Sequence, residues 1–312
     1  MSEYVLLLGI EYYPTVNPMV WDRLSLAPQA ILSGLIMGMV FALVAAGLAL
    51  IWGVVDIINF AHGEYMLIAM YLSLLAASTF AIDPLLMVPV NLVILFVLGY
   101  LTYKVIISRV MDAPMLAQIF ATFGLLLIIR FGLLAIMGPH TESIDRFMFT
   151  GYIRPAGYVI SIPQLVTAIV SAMTLTLLFV FLKYTRTGLA IRATAQDWEA
   201  AQVMGVDPDY VHGVAWGIGI AAAGVAGTLV ATFHPIQPEL TPTTWTLIAF
   251  ASVALGGFGS VLGAVAGGVV IGLVEHVGAA LLDPSYKMLY VFLVFIGALL
   301  FKPEGILNWS ES

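Results

Sequence analysis

Long apolar stretches follow one another along the chain and are separated by short polar segments. Each stretch covers about 20 residues, the length a helix needs to cross a hydrocarbon core of roughly 30 Å. No alternation of polar and apolar residues with period two, typical of a membrane barrel, is seen. Because a backbone in lipid must satisfy its own hydrogen bonds, the stretches are predicted to be helices. The candidate spans are residues 28–52, 57–80, 85–104, 114–138, 163–183, 213–233, 244–258, 262–282 and 286–301.

Two of these candidates are irregular. Segment 57–80 begins with polar residues and segment 244–258 is short, so either could be re-entrant rather than a full span. The prediction is therefore an all-α, polytopic transmembrane helix bundle with about eight or nine spans. Residues 28–308 are expected to form one transmembrane domain. An N-terminal extracytoplasmic extension, residues 1–27, precedes it and is assigned no function.

Composition supports a membrane protein and excludes several kinds of chemistry. The chain is 62% hydrophobic and 9% charged, against roughly 25% charged residues in soluble domains, so most of its surface is expected to face lipid. It has no cysteine, which excludes disulfides and thiolate metal sites. The net charge of −7 comes with no basic run, so no nucleic-acid partner is expected. No cofactor or metal site is expected either.

The longest charged connection, residues 184–212, suggests the orientation of the bundle. If it is cytoplasmic, alternation places residues 104–113 and the C-terminal tail on the same side. The cytoplasmic side then holds six lysines and arginines and the outer side four. This bias agrees with the positive-inside rule, although the difference is small.

The same connection contains a predicted short helix. Thr194 and Asp197 match a capping box, in which the threonine caps the helix and the acid reaches back. Gly205 supplies a left-handed stop, and Asp207-Pro208 prevents continuation. A helix of about ten residues is marginal alone in water and needs a surface to pack on.

One face of this helix is suited to contact. Ile191, Ala195, Trp198 and Ala201 with Gln202 recur at helical spacing, and a tryptophan is typical of interface anchors. Two readings stay open on the residues alone. The helix docks on a partner protein, or it lies on lipid headgroups or on its own bundle.

Several segments resemble a known family. Glu199-Ala200-Ala201 followed by Gly205 resembles the coupling-loop motif E-A-A-x-x-x-G of ABC importer permeases. The wider sequence resembles the branched-chain amino acid permease family, in segments that run from near residue 30 to near residue 308. The matching segments are GLALIWGVVDIINFAHGEYMLIAMY (47–71), RTGLAIRATAQDWEAAQVMGVD (186–207), GGFGSVLGAVAGG (256–268) and FKPEGIL (301–307).

The resemblance implies a function and partners. The chain would be the permease subunit of an ATP-driven importer of branched-chain or related amino acids, with urea or amides handled in related branches. It would assemble with two ATP-binding cassette subunits, a second related permease and an extracytoplasmic substrate-binding protein. It implies a short cytoplasmic coupling helix within loop 184–212, whose coupling residues are Thr194, Trp198, Glu199, Ala200, Ala201 and Gly205.

Polar residues inside the apolar stretches are candidates for the translocation pathway. An ionised group at the bilayer centre costs roughly 2.5–3.5 kcal/mol on insertion scales, so it usually faces a cavity or a partner. Asn59, His62 and Glu64 interrupt one stretch, and Glu275 lies in the middle of another. The first three either line the pathway at a broken helix or cap a helix in water at the membrane boundary. Arg130 is a possible partner for either glutamate, or structural glue between helices.

Other function classes lack their residues in this sequence. No G-x-x-x-x-G-K-[ST] motif is present, so the chain cannot bind ATP phosphates by the P-loop route. A membrane-embedded enzyme would need a convergent nucleophile or metal set, and none is visible. An ion-coupled secondary transporter remains an alternative, with Glu64 or Glu275 as the proton carrier.

Overall fold

The computed structural model describes residues 25–145, 147–302 and 305, and in these ranges the chain is almost entirely helical. Two short antiparallel strands, β1 (Tyr152–Ile153) and β2 (Ile160–Ser161), form a small hairpin between the fourth and fifth helices. The helices are α1 (Ala27–Val55), α2 (His62–Phe80), α3 (Pro84–Val105), α4 (Met115–Met137), α5 (Ile162–Tyr184), α6 (Arg186–Gln196), α7 (Trp198–Val203), α8 (Pro208–Val230), α9 (Leu240–Gly256), α10 (Val261–Leu281) and α11 (Lys287–Phe301).

The predicted bundle is confirmed. Within the described ranges, eight helices, two of them counted with an adjoining turn, are long and apolar enough to cross a membrane. The ninth apolar helix, α9, is shorter and has 17 residues. The span expected to begin at residue 57 is a helix only from His62 onwards. Most of the 1–27 extension and of the 301–307 segment lies outside the described residues.

Contacts between connections show how the helices alternate in direction. Gln29, near the start of α1, hydrogen-bonds the backbone of Val159, and Glu142 pairs with Ile236 in an isolated bridge. The start of α1 and the α4–α5 and α8–α9 connections therefore lie at one end of the bundle. At the other end, Gly53 packs against Gly259 in the turn between α9 and α10.

Small residues set the closest helix contacts. At Gly272 of α10 an added Cβ would lie 2.5 Å from the Cα of Gly38 in α1, so the two backbones meet without side chains between them. Such contacts let helices associate where lipid gives no hydrophobic drive. Helices α1 and α8 are the most buried spans, whereas α4 and α11 lie at the rim with most of their residues uncovered.

Candidate functional site

The connection between α5 and α8 folds into two short helices, α6 and α7, which we call the elbow (residues 185–207). Asp197 separates them in an extended conformation, and its Oδ1 accepts a hydrogen bond from Ala200 N at 2.9 Å. Asp197 is therefore the N-cap of α7. The predicted single helix of about ten residues is replaced by helices of 11 and 6 residues.

The prediction that Thr194 caps the short helix of this connection is wrong, because the N-cap of α7 is Asp197. Thr194 lies inside α6 and is 4% exposed, and its hydroxyl has no hydrogen-bond partner among the described residues. The reason is that helix formation starts earlier than the capping-box pattern indicates. Thr185 caps α6 and accepts a hydrogen bond from Gly188 N at 2.9 Å, so position 194 is already helical.

The elbow is anchored to the end of α5. Gly188 sits directly on it, because an added Cβ would lie 2.3 Å from the carbonyl oxygen of Phe181. Arg192 Nε donates to the carbonyl oxygen of Leu182 at 3.0 Å, and the Thr185 hydroxyl donates to that of Phe181 at 2.7 Å. The elbow is thus attached directly to the end of a membrane span.

The predicted stop after the tip helix is confirmed. Gly205 has a φ of +87°, a conformation that glycine adopts without strain. The chain turns there, and Val206 N donates to the carbonyl oxygen of Ala201 at 3.0 Å. Asp207 then caps α8, with Pro208 at its first position.

The residues of the predicted contact face separate in the structure, because some are buried within the chain and others are exposed. Ile191 and Ala201 are buried against the chain's own bundle, because they hold the elbow in place. The outer surface is the tip (residues 198–205), where Trp198 is 53% exposed and Val203 and Met204 are 87% and 84% exposed. Of the predicted coupling residues, those that share this exposed tip are Trp198, Glu199, Ala200 and Gly205.

An open cleft of about 1560 Å³ lies between the elbow and the neighbouring helix ends. Its walls include Asp56 at the end of α1, Asp112 beyond α3, and Thr194 and Trp198 of the elbow. The turn between α9 and α10 contributes Phe258. Residues 104–113, the elbow and this turn therefore share one end of the bundle, as the predicted alternation requires.

The chain breaks its helical path between α1 and α2. Asp56 ends α1 with a φ of +56°, and α2 begins only at His62. His62 Nε2 lies 3.1 Å from the carbonyl oxygen of Val44, which precedes the end of α1 by about 17 Å at 1.5 Å per residue. The intervening residues therefore turn back into the bundle, and α2 starts inside it rather than at its end.

The polar residues of this break are buried. Asn59, His62 and Glu64 are at most 1% exposed, so the reading that they sit in water at the membrane boundary is wrong. Asn59 Oδ1 accepts a hydrogen bond from Ala61 N at 3.1 Å. Three buried atoms of these side chains have no hydrogen-bond partner among the described residues; they are Asn59 Nδ2, His62 Nδ1 and Glu64 Oε2.

Glu64 forms an ion pair with Arg130 of α4. Arg130 Nε lies 3.0 Å from Glu64 Oε1, the guanidinium Nη2 also donates to that oxygen, and Nη2 donates to Thr243 Oγ1 of α9 at 2.9 Å. Three helices thus meet at one charged cluster. Beside it, Gly63 N donates to Thr246 Oγ1 at 2.9 Å, and an added Cβ at Gly63 would lie 2.1 Å from a carbonyl oxygen of α9.

The structure does not place Glu275 in this cluster. Glu275 of α10 is buried and pairs with Lys287 Nζ, at the start of α11, at 3.1 Å. The sequence left Arg130 as a partner for either glutamate, and the geometry assigns it to Glu64. Among the pathway candidates, Asn59, His62 and Glu64 lie together and Glu275 lies elsewhere.

Sequence reasoning missed the uncharged members of these groups. Thr243 was read as the last residue of the connection before the span 244–258 and Thr246 as part of that apolar span, although a T-P-T-T-x-T run contains both. Lys287 was assigned to the outer side without a partner. Hydroxyls at intervals of three within one helix were the available signal, because they fall on one face.

Comparison with known proteins agrees with this geometry. Residues 30–300 match the family described as "Branched-chain amino acid transport system / permease component". The permease protein LivH of a high-affinity branched-chain amino acid transport system in Escherichia coli is 29% identical, over 91% of this chain and 96% of the relative. The permease protein BraD of Pseudomonas aeruginosa is 28% identical over the same shares.

An archaeal relative extends the comparison. The probable branched-chain amino acid transport permease protein LivH of Methanocaldococcus jannaschii is 29% identical, over 92% of this chain and 95% of the relative. No solved structure matches the chain. The matched region includes the break between α1 and α2, the elbow and all but the outermost residues of the first and last spans. The chain is thus a multi-pass protein of the cell membrane and belongs to the family of permease components of branched-chain amino acid transport systems.

Proposed function

We propose that this chain is the translocation subunit of an ATP-driven importer of branched-chain or related amino acids. It acts with two ATP-binding cassette subunits, a second related permease and an extracytoplasmic substrate-binding protein. Residues 28–308 act as one transmembrane domain, and residues 1–27 lie on the extracytoplasmic side. The relatives in E. coli and P. aeruginosa, which are permeases of branched-chain amino acid systems, support this cargo class.

The exposed tip of the elbow is the observation that carries the proposal. Val203 and Met204 present apolar side chains to the outside of the fold at the end that also carries the open cleft. An apolar tip on a rigid anchor is suited to a groove in a partner protein. The tip seats in an ATP-binding subunit, and α6 transmits that subunit's movement to α5.

The break between α1 and α2 is the proposed pathway element. Its buried, partly unsatisfied polar groups belong to a closed state, in which they are packed away from solute. Movement of the elbow would open the bundle and bring Asn59, His62 and Glu64 into contact with the cargo. Glu275, paired with Lys287, borders the pathway separately from this cluster.

The test separates docking from folding. Gly205→Val forces a β-branched residue to adopt a φ of +87°, which costs on the order of 1–3 kcal/mol of local strain. We expect the assembled transporter to lose most cargo-stimulated uptake while the variant still inserts into the membrane. Glu199→Ala, which changes only an exposed side chain, should uncouple ATP hydrolysis from uptake. Full transport by both variants would contradict the docking role.

The energy source distinguishes the alternative. An ion-coupled secondary transporter would accumulate cargo without ATP-binding subunits and would stop when the proton gradient is collapsed. The proposed importer requires ATP and the binding protein, and a protonophore leaves uptake in ATP-loaded vesicles intact. Uphill uptake by vesicles that hold this chain alone would overturn the proposal.

A further inference from the structure

Helix α4 has a charged residue, Arg130, on one side and a neighbouring face that the rest of the chain does not cover. Arg130 lies 15 residues after the start of α4 and 7 before its end, hence about 22 Å and about 10 Å along the axis from the two ends. This places it within the hydrocarbon layer rather than at its border. Its side chain is nevertheless 19% exposed, and Thr243 beside it is also exposed.

Contact with lipid is energetically unfavourable for the Arg130 side chain. An arginine in contact with hydrocarbon costs several kcal/mol, so intramembrane arginines face protein or water. Glu64 neutralises the charge, but the guanidinium has five N–H donors. Among the described residues, one carboxylate oxygen and one hydroxyl accept hydrogen bonds from it. The remaining N–H groups need a hydrogen-bond acceptor, which another molecule would have to supply.

The rest of the uncovered face has the form of a helix-packing seam. Phe120, Gly124, Leu127 and Phe131 are spaced by four, three and four residues, the spacing of a helix–helix contact. Phe120 and Phe131 are exposed, and at Gly124 an added Cβ would meet no atom within 4 Å. Gly38 and Gly272, in the centre of the bundle, each touch a neighbouring backbone, whereas Gly124, like Gly132 and Gly297, has open space over its Cα. Gly124 leaves a notch of the same kind unfilled.

We infer that the seam of α4 and the Arg130–Thr243 edge form the interface with the second, non-identical permease subunit. The inference rests on the proposed function, which supplies that partner. A second copy of this chain is disfavoured. If two copies of α4 crossed in parallel at Gly124, each Arg130 would lie about 9 Å along the axis from the crossing. The two arginines would then lie at the same depth, and neither could supply an acceptor to the other. The partner instead presents a hydrogen-bond acceptor at that depth.

The direct test is photo-crosslinking in membranes that contain the whole transport system. Phe131→p-benzoylphenylalanine places the crosslinker on the seam, and Leu293→p-benzoylphenylalanine places it on α11, which is equally uncovered in the chain. We expect a covalent adduct with the second permease from position 131, at least five-fold above that from position 293. Adducts of Phe131→p-benzoylphenylalanine with a second copy, an ATP-binding subunit or lipid alone would overturn the inference.

A pair of glycine variants gives an independent measurement. Gly124 and Gly297 both have open space over the Cα within this chain, so neither Gly124→Leu nor Gly297→Leu creates an internal clash. Gly124→Leu should lower the recovery of the second permease at least five-fold, and Gly297→Leu should leave it unchanged. The opposite result would move the interface to α11 and refute the assignment to α4.

The two hypotheses can fail separately. If the wild-type chain is recovered with ATP-binding subunits and transports cargo, but position 131 reacts only with lipid, the interface inference fails and the proposed function stands. If no ATP-binding subunit is recovered with the wild-type chain, the proposed function fails, whatever position 131 contacts.

Discussion

Glu64 and Arg130 form an ion pair in which Glu64 is 1% exposed and Arg130 is 19% exposed. Removing one partner of a buried pair leaves an uncompensated charge and typically costs roughly 3–5 kcal/mol, whereas replacing both by apolar residues can be neutral. The pair therefore offers a way to separate a pathway role from a structural one.

We expect Glu64→Leu to destabilise the purified chain in a thermal unfolding assay, because Arg130 is left unpaired. The double variant Glu64→Leu/Arg130→Met should recover most of that loss and still fail to transport when assembled with its partners. Recovery of both stability and uptake in the double variant would show that the pair is structural glue.

Single residues were predicted unevenly from the sequence. A carboxylate and an arginine inside apolar stretches stand out by type, so Glu64, Glu275 and Arg130 could be selected from the sequence alone. Their pairing could not, because it depends on which helices are neighbours. Lys287 lies in the helix that follows that of Glu275, and nothing in its own segment marks it as the partner of Glu275.

At the scale of the elements, capping decides the shape of the elbow. The sequence pattern predicts Thr194 as the cap, whereas the structure uses Thr185 and Asp197. Both threonines precede helix-forming residues, and the choice follows from the end of α5, which places Gly188 against Phe181 and starts α6 early. The stop at Gly205 was predictable, because a glycine followed by Asp-Pro ends a helix without tertiary help.

Asp197→Ala tests this assignment. The variant loses the hydrogen bond to Ala200 N, and loss of an N-cap costs about 1 kcal/mol. In a helix of six residues that loss should unwind the tip, so we expect reduced recovery of ATP-binding subunits with the chain. Thr194→Val is the matched control: it removes a buried hydroxyl that has no partner among the described residues and should bind those subunits as the wild type does. A loss of binding in Thr194→Val with normal binding in Asp197→Ala would reverse the capping assignment.

At the scale of the whole molecule, glycine contacts hold the centre of the bundle together. Small-xxx-small spacing in the sequence predicts close packing, including the pairs Gly34/Gly38 and Gly268/Gly272. The structure shows that Gly272 of α10 faces Gly34 and Gly38 of α1, whereas Gly268 packs against Ala42 further along α1. The sequence could not identify the facing pairs, because every glycine spaced in this way is equally able to pack.

This arrangement also distinguishes the tightly packed centre of the bundle from the helices at its rim, which are held by fewer contacts. Helices α1, α8 and α10 meet through backbone contacts that leave no room for added atoms, whereas α4 attaches through a charged pair and a few hydrogen bonds, among them that from Thr122 Oγ1 to the carbonyl oxygen of Ile58 at 2.9 Å. The elbow continues directly into α8 and also packs on the end of α5. Movement that starts at the tip can therefore rearrange the rim and the broken helix without separating α1 from α10.

Gly272→Val measures how much the centre depends on that contact. The new side chain would meet the backbone of Gly38, with the Cβ 2.5 Å from its Cα, and backbone cannot rotate away as a side chain can. Overpacking of this kind typically costs about 1–3 kcal/mol. We expect a clear fall in the thermal unfolding temperature of the purified chain and less folded protein in the membrane. Gly297→Val, at an open position on α11, should unfold at the wild-type temperature, and equal behaviour of the two variants would mean that the α1–α10 contact does not organise the bundle.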